Sequence, residues 1–351
     1  MITQVPRERL AQFKEYDGHE SVYFFHNEVH GLRGFIALHK TRGGHATGGT
    51  RYYSYTHEDD ALRDVLNLSR AMTYKCALAD VPYGGGKAVI IADRMRPKTI
   101  DALRAYGAYI NALEGKFSTG EDVGITEDDV VAMAQSSSHI NGLPEIAGDP
   151  SPWAARSVFV AMEAALEYLT GTSNFQGKRI AIKGLGKVGS ELARMLARRG
   201  AHLIVADINE DQIAALSQEL PSLEIADPVM VHMLPVDVYA PCALGGEFTS
   251  DGPVQLRSRI VCGAANNQLV DREAGEMLHR AGVVYIPDYV ANAGGLINVV
   301  DALMPSGYQR SRVEQKISGV RSTVFSILQR ARAEGRATYD VADAMARSRF
   351  A

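Results

Sequence analysis

Apolar and polar positions along the chain divide it into strand-like and helix-like stretches. "SVYFFHNE" (21–28) and "RGFIALHK" (33–40) read as strands, and the apolar run "KAVIIAD" (87–93) as another. Between them Leu62, Val65, Leu66, Ser69 and Met72 fall on one helical face. They predict a helix from about Asp59 to Tyr74, opened by a capping box of Thr56 and Asp59. Lys75 then ends that helix and leads into a turn containing Pro82 and three glycines. Helical patterns follow at 100–115 and 126–138, and the Pro-rich stretch "HINGLPEIAGDPSPW" (139–153) breaks the pattern as a linker would. After a helix at 154–169 come "RIAIKG", "HLIVADI", "VDVYAPC", "RIVCGAANN" and "VVYIPDYV", separated by helical patterns. That alternation predicts an α/β fold with a parallel, doubly wound sheet. The tail from about Ser311 is helical again.

One βα unit carries chemistry. The run Gly184, Leu185, Gly186, Lys187, Val188, Gly189 has G-x-G-x-x-G spacing, follows an apolar strand (179–183) and precedes an amphipathic helix (190–199). In that context the glycines allow a tight turn and bring backbone N–H groups to a pyrophosphate at a helix N-terminus. Asp207 ends the next strand, about 20 residues on, where a carboxylate accepts from ribose hydroxyls and repels a 2′-phosphate. The predicted cofactor is NAD rather than NADP.

The first half of the chain offers a second candidate, in "MTYKCALADVPYGGGKAVI" (72–90). It is not a phosphate loop: the strand comes after Lys87, and alanine rather than serine or threonine follows the lysine. A lysine among apolar residues, near a second cation, has its neutral form favoured and can act as a base. Lys87 fits that role, with Lys75 staying charged to hold an anionic substrate group. Either lysine alone fits a solvated surface residue as well.

Composition narrows the partners. A formal net charge of −4 leaves no basic footprint for nucleic acid, and the apolar runs are too short for a membrane span. Cys76, Cys242 and Cys262 are isolated and odd in number, which predicts buried free thiols in a reducing cytoplasm and no metal site.

The stretches "GGTRYYSYTHEDDALRDVLNLSRAMTYKCALADVPYGGGKAVII", "TGEDVG", "GLGKVG", "APCALGG", "GAANNQL" and "PDYVANAGGLINV" together resemble the glutamate/leucine/phenylalanine/valine dehydrogenase superfamily. The similarity spans about Gly18 to Phe350 and lies nearest the leucine and phenylalanine branch. It implies two domains with a cleft between them: a substrate-binding and oligomerisation domain (1–147) and an NAD-binding Rossmann domain (148–325). A C-terminal helix (326–351) is expected to pack back on the first domain. The implied reaction is reversible oxidative deamination of an L-amino acid to its 2-oxo acid and ammonia, by a homo-oligomer.

By the same resemblance Lys75 binds the substrate carboxylate, Lys87 is the acid/base, Asp122 assists proton transfer, and Gly49 brings backbone to the carboxylate. Asn267 falls to the substrate, and Ala264, Asn266 and Asn292 to the nicotinamide or its ribose. Thr47, Met72, Gly120, Leu296 and Val299 match side-chain pocket positions. Gly120, where the leucine-type enzymes usually carry alanine, implies room for a ring, so the expected substrate is aromatic and phenylalanine-like. Thr47, at a position usually apolar, leaves leucine-type or tryptophan substrates open. Ala154, Arg156, Ser157 and His45 also depart from the family pattern. A catalytically silent relative, or an oxidoreductase acting on another amine or imine, is the competing reading; retention of Lys75, Lys87 and Asp122 favours the enzyme.

Overall fold

The computed structural model describes residues 1–93, 95–251 and 255–350. Two sheets organise it, one in each of two units. The first unit is Met1–Asp149 with Val299–Gln309 and Ala346–Ala351; the second is Pro150–Asn298 with Arg310–Met345. The stretch 299–309, expected in the nucleotide-binding domain, thus belongs to the first unit. There the Tyr83 hydroxyl donates to the Leu303 carbonyl at 3.3 Å.

In chain order the first unit contains β1 (Ile2–Gln4), α1 (Arg7–Leu10), β2 (Ser21–Asn27), β3 (Leu32–Lys40), β4 (Ala46–Tyr53) and α2 (Glu58–Leu78). It continues with β5 (Gly84–Ile91), α3 (Ile100–Asn111), β6 (Phe117–Gly120), α4 (Glu127–Ala134) and α5 (Pro144–Ala147). Its sheet runs β1-β2-β3-β5-β4-β6, with β4 parallel to both β5 and β6. Side chains alternate between the two faces. Ile36, Leu38, Ala88 and Ile90 pack with Tyr106, Ile110, Phe117 and Met133. Phe35, Ala37, Val89 and Ile91 pack with Leu62, Val65 and Leu66 of α2. β5 lies between these two cores and is buried at every position.

In this unit three strands, β1, β4 and β6, escape the sequence pattern, as the short strand Glu224–Ile225 does in the other, and β5 starts at Gly84 rather than Lys87. α2 also begins differently from the expectation. Its N-cap is His57, whose N–H donates to Asp60 at 3.1 Å, one residue beyond the predicted Thr56–Asp59 pair.

The second unit contains α6 (Ser151–Thr170), β7 (Arg179–Lys183), α7 (Lys187–Ala197), β8 (His202–Ala206), α8 (Glu210–Glu219), β9 (Glu224–Ile225), β10 (Val238–Pro241) and β11 (Ile260–Val261). After these come α9 (Arg272–Arg280), β12 (Val284–Tyr285), α10 (Asp288–Ala291), α11 (Gly294–Asp301), α12 (Arg310–Glu334) and α13 (Thr338–Ser348), the last three residues of α11 and of α13 belonging to the first unit. The all-parallel order β9-β8-β7-β10-β11-β12 is two mononucleotide-type halves wound outward from β7 and β10, a Rossmann sheet. In place of the single helix expected over 326–351, that segment holds the end of α12 and all of α13, separated at Gly335 (φ +63°). Among the described residues no helix is long and apolar enough to cross a membrane.

Candidate functional site

In the first unit, odd-numbered positions of β4 and β5 converge on the α2 face of the sheet. Lys87 is 5% exposed, and its Nζ donates to Asp122 Oδ1 at 2.8 Å. A Cβ on Gly49 would stand 3.3 Å from Lys87 Nζ and 3.0 Å from Asp122 Cβ, so the missing side chain is what lets the pair sit against β4. Arg51, two residues along the same strand, donates from Nε to Asp122 Oδ2 at 3.0 Å and from Nη1 to Asp64 Oδ2 at 2.9 Å. Tyr55 OH donates to the same Asp64 oxygen at 2.5 Å. Burial alone pushes the Asp122 carboxyl up, but the Lys87 and Arg51 cations more than offset this and hold it down at about 2.

This differs from the sequence-based account of Lys87 in one respect. Lys87 Nζ is bonded to a carboxylate, which the reading of a lysine near a second cation did not include. Lys75 lies in the last turn of α2, half-buried. The glycine triplet also has another job. A Cβ on Gly85 would meet Thr73 N at 1.9 Å, one on Gly84 the Lys40 carbonyl oxygen at 1.9 Å, and one on Gly86 the Phe117 ring at 2.8 Å. The protein itself fills those spaces.

Several of the pocket positions gather around residues 141 and 142. Asn141 Nδ2 donates to Thr47 Oγ1 at 3.0 Å, and Val299 Cγ1 stands 4.0 Å from where a Gly142 Cβ would be. The space beside Gly120 is not open: a Cβ there would lie 2.7 Å from the Asn141 carbonyl oxygen. The missing methyl therefore admits backbone, which corrects the reading of Gly120 as room for a ring. Met72 is half-buried on α2, and Leu296 is half-buried in the second unit, on α11. His45 is an exposed loop residue bonded through Nδ1 to the Gly115 carbonyl at 2.8 Å.

In the second unit the glycine run bridges β7 and α7, and the helix starts at Lys187, three residues earlier than the pattern suggested. Gly184 adopts φ +99°, with its Cβ direction blocked by Ala243 N at 2.5 Å, and a Gly189 Cβ would meet the Gly184 carbonyl oxygen at 1.9 Å. Gly186 is different: it caps α7 without a side chain, and no atom lies within 4 Å of its Cβ position. The first turn of α7 begins there, with Lys187 exposed and Val188 half-buried.

Asp207 accepts from Leu185 N at 2.5 Å and from Asn209 N at 2.8 Å, tying the loop to the end of β8 while each oxygen keeps a further lone pair. Asn292 donates to Ala264 O at 2.9 Å and to Asn266 Oδ1 at 2.7 Å, and its own buried Oδ1 has no partner among the described residues. Asn267 holds φ +54°, and its N–H donates to Asp288 at 2.9 Å. Ser157, one of the unusual residues, receives the Gly294 N–H at 2.9 Å and donates to the Ala154 carbonyl at 2.9 Å, joining α6 to the start of α11. A helix N-terminus capped by glycine, a strand-end carboxylate and a buried amide oxygen fit the phosphates, ribose and carboxamide of a nicotinamide dinucleotide.

Arg51, Asp64, Tyr55 and Asn141 were not singled out from sequence. Arg51 stands two residues after Gly49, but without β4 as a strand their shared face is invisible.

Comparison with known proteins places these two constellations in one family. The model for the dimerisation domain of Glu/Leu/Phe/Val dehydrogenases matches residues 19–139, and that for glutamate/leucine/phenylalanine/valine dehydrogenases matches 151–209 and 205–349. L-tryptophan dehydrogenase of Nostoc punctiforme is 41% identical, over 95% of this chain and 94% of the relative. Its crystal structure superposes with a TM-score of 0.84, covering 98% of both chains at 38% identity. Phenylalanine dehydrogenase of Lysinibacillus sphaericus is 40% identical, over 91% of this chain and 85% of the relative. Leucine dehydrogenase of Bacillus subtilis is 39% identical, over 97% and 94%. The chain therefore belongs to the glutamate/leucine/phenylalanine/valine dehydrogenase family and is an amino-acid dehydrogenase.

Proposed function

We propose that the protein catalyses the reversible NAD-dependent oxidative deamination of an L-amino acid with a large, phenylalanine-like side chain, as a homo-oligomer. The observation that carries the chemistry is the buried Lys87–Asp122 pair at 2.8 Å beside side-chain-free Gly49. At hydrogen-bond distance a proton can pass between Nζ and the carboxylate, which the reaction requires when the α-amine is made neutral and when water adds to the imine carbon. Lys75 supplies the fixed positive charge for the substrate carboxylate. A nicotinamide held by the second unit would supply the acceptor for the hydride that leaves the α-carbon. Gly184, Leu185, Gly186, Lys187, Val188 and Gly189 would hold the pyrophosphate, Asp207 the ribose, and Ala264, Asn266 and Asn292 the nicotinamide side. The Asp207 carboxylate favours NAD over NADP, whose 2′-phosphate it would repel.

One observation favours a second reading of the substrate. Asn141 is 3% exposed, is bonded to Thr47, and leaves its Oδ1 without a partner among the described residues. A buried acceptor of this kind is satisfied by a side chain with an N–H or O–H, such as an indole or a phenol, and not by leucine.

The test is a turnover panel of L-phenylalanine, L-tyrosine, L-tryptophan, L-leucine and L-valine with NAD and with NADP. The primary reading expects phenylalanine to lead with NAD; tryptophan or tyrosine in the lead supports the Asn141 reading, and leucine or valine in the lead removes both. Lys87→Ala should cut kcat by about 10²–10⁴-fold, with the circular dichroism spectrum unchanged because Asp122 keeps its Arg51 partner.

A further inference from the structure

The Lys87–Asp122 pair is not self-supporting. Asp122 stands just beyond the end of β6 with a side chain 17% exposed. A carboxylate on a single-bonded stem turns freely unless both oxygens are held. Lys87 Nζ takes Oδ1, and Arg51 Nε takes Oδ2 at 3.0 Å. Arg51 is itself held at its far end. Nη1 reaches both oxygens of Asp64, at 2.9 and 3.3 Å, and Tyr55 OH fixes Asp64 at 2.5 Å. Asp64 lies on α2, the helix whose last turn carries Lys75. One guanidinium fork thus spans from the helix that carries Lys75 to the carboxylate that faces Lys87.

We propose that Arg51, anchored by Asp64 and Tyr55, is a positioning residue that fixes the Asp122 carboxylate in register with Lys87 for proton transfer. This rests on the amino-acid deamination reading above. The fork geometry matters because a guanidinium has a fixed plane and several donors, whereas a lysine ammonium is a point charge that cannot span both carboxylates. The charge matters as well. The cations facing Asp122 are Lys87 from β5 and Arg51 from β4, and Asp64 from α2 with Tyr55 are the groups facing Arg51 in turn. Removing the Arg51 charge leaves Asp122 with one cation, and burial then raises its carboxyl toward the ordinary range.

Two substitutions separate geometry from charge. Arg51→Lys keeps the charge and loses the fork; Arg51→Gln loses both. We expect kcat to fall about 10-fold in Arg51→Lys and about 100-fold in Arg51→Gln, with KM for NAD unchanged in both. The acid limb of kcat/KM should move to higher pH only in Arg51→Gln. Tyr55→Phe, which removes only the anchor on Asp64, should lower kcat two- to five-fold without moving the limb. Melting temperatures taken alongside show that the variants are folded under assay conditions. If both Arg51 variants keep wild-type kcat and pH profile, or if their losses match the unfolded fraction, the proposal is overturned. Should Arg51→Gln fail to fold, Tyr55→Phe and Arg51→Lys decide: wild-type kcat in both overturns it. Failure of the underlying reading looks different, because the wild type itself would then turn over none of the amino acids.

Discussion

Gly120 illustrates how a single missing methyl can mislead. By sequence it opens a pocket; in the structure the Asn141 carbonyl oxygen occupies the place, 2.7 Å from a would-be Cβ. That distance is far inside van der Waals contact, so Gly120→Ala must push the 141–142 backbone aside. Asn141 is the partner of Thr47, and Gly142 neighbours Val299, so the push is passed on to the pocket positions. An overpacked contact of this kind costs about 1–3 kcal/mol, and the same range sets how well an apolar pocket tells two side chains apart. Gly120→Ala is therefore expected to lower kcat/KM for phenylalanine relative to leucine by about 5–100-fold. Competition kinetics with the two amino acids measures the ratio directly, and an unchanged ratio in a folded variant would remove Gly120 from the substrate pocket.

At the level of elements the glycine triplet of β5 has the clearest physical reason. Its Gly85 lets the strand lie against α2 so closely that a Cβ would be 1.9 Å from Thr73 N. Gly85→Ala should therefore wedge apart the strand that carries Lys87 and the helix that carries Lys75. A loss of about 3 kcal/mol or more lowers the melting temperature by roughly 6–12 °C in a domain of this size. Gly186→Ala is the control, since nothing lies within 4 Å of its Cβ position: melting should be unchanged while NAD binding weakens, a pair of results that thermal melts and cofactor titration separate.

The same elements explain what the sequence could and could not reveal. The Rossmann half was legible because its strands, glycine run and strand-end Asp207 are local signals in fixed order. β4 and β6 were not. "ATGGTRYY" and "FSTG" carry glycines and polar residues where an isolated strand would show alternation, and they become strands by pairing with partners far away in sequence. With β4 unseen, Thr47, Gly49 and Arg51 could not be placed on one face. Gly49 was reached by resemblance alone, and Arg51 was missed.

For the whole molecule, acid stability is expected to depend on a buried histidine pair away from Lys87 and Asp122. His19 and His39 are 2% and 3% exposed between β3 and α2, with ring centroids 4.7 Å apart. His19 accepts the Asp17 N–H at 3.3 Å and reaches the Leu66 carbonyl at 3.0 Å, and His39 lies between Thr73 Oγ1 at 2.9 Å and the Asp17 carbonyl at 3.2 Å. These partners suit neutral rings. Burial lowers His19 to about 4; burial, with repulsion from His19, lowers His39 to about 3. The unfolded chain protonates both near 6.5, so between that pH and about 3 it binds more protons than the folded state. Stability is thus complete above about pH 6.5, falls as the pH drops below it and levels off below about 3, with a loss on the order of a few kcal/mol. The Asp122 carboxyl, held at about 2, is still ionised throughout most of this window. Activity lost on brief exposure to pH 4–5 should therefore follow unfolding and not protonation of Asp122. Urea midpoints measured from pH 4 to 8 should slope in the wild type and slope less in His39→Gln, which keeps a donor and an acceptor but takes up no proton, while His19 still titrates. Equal slopes in the two proteins would mean that the histidine pair does not govern acid stability.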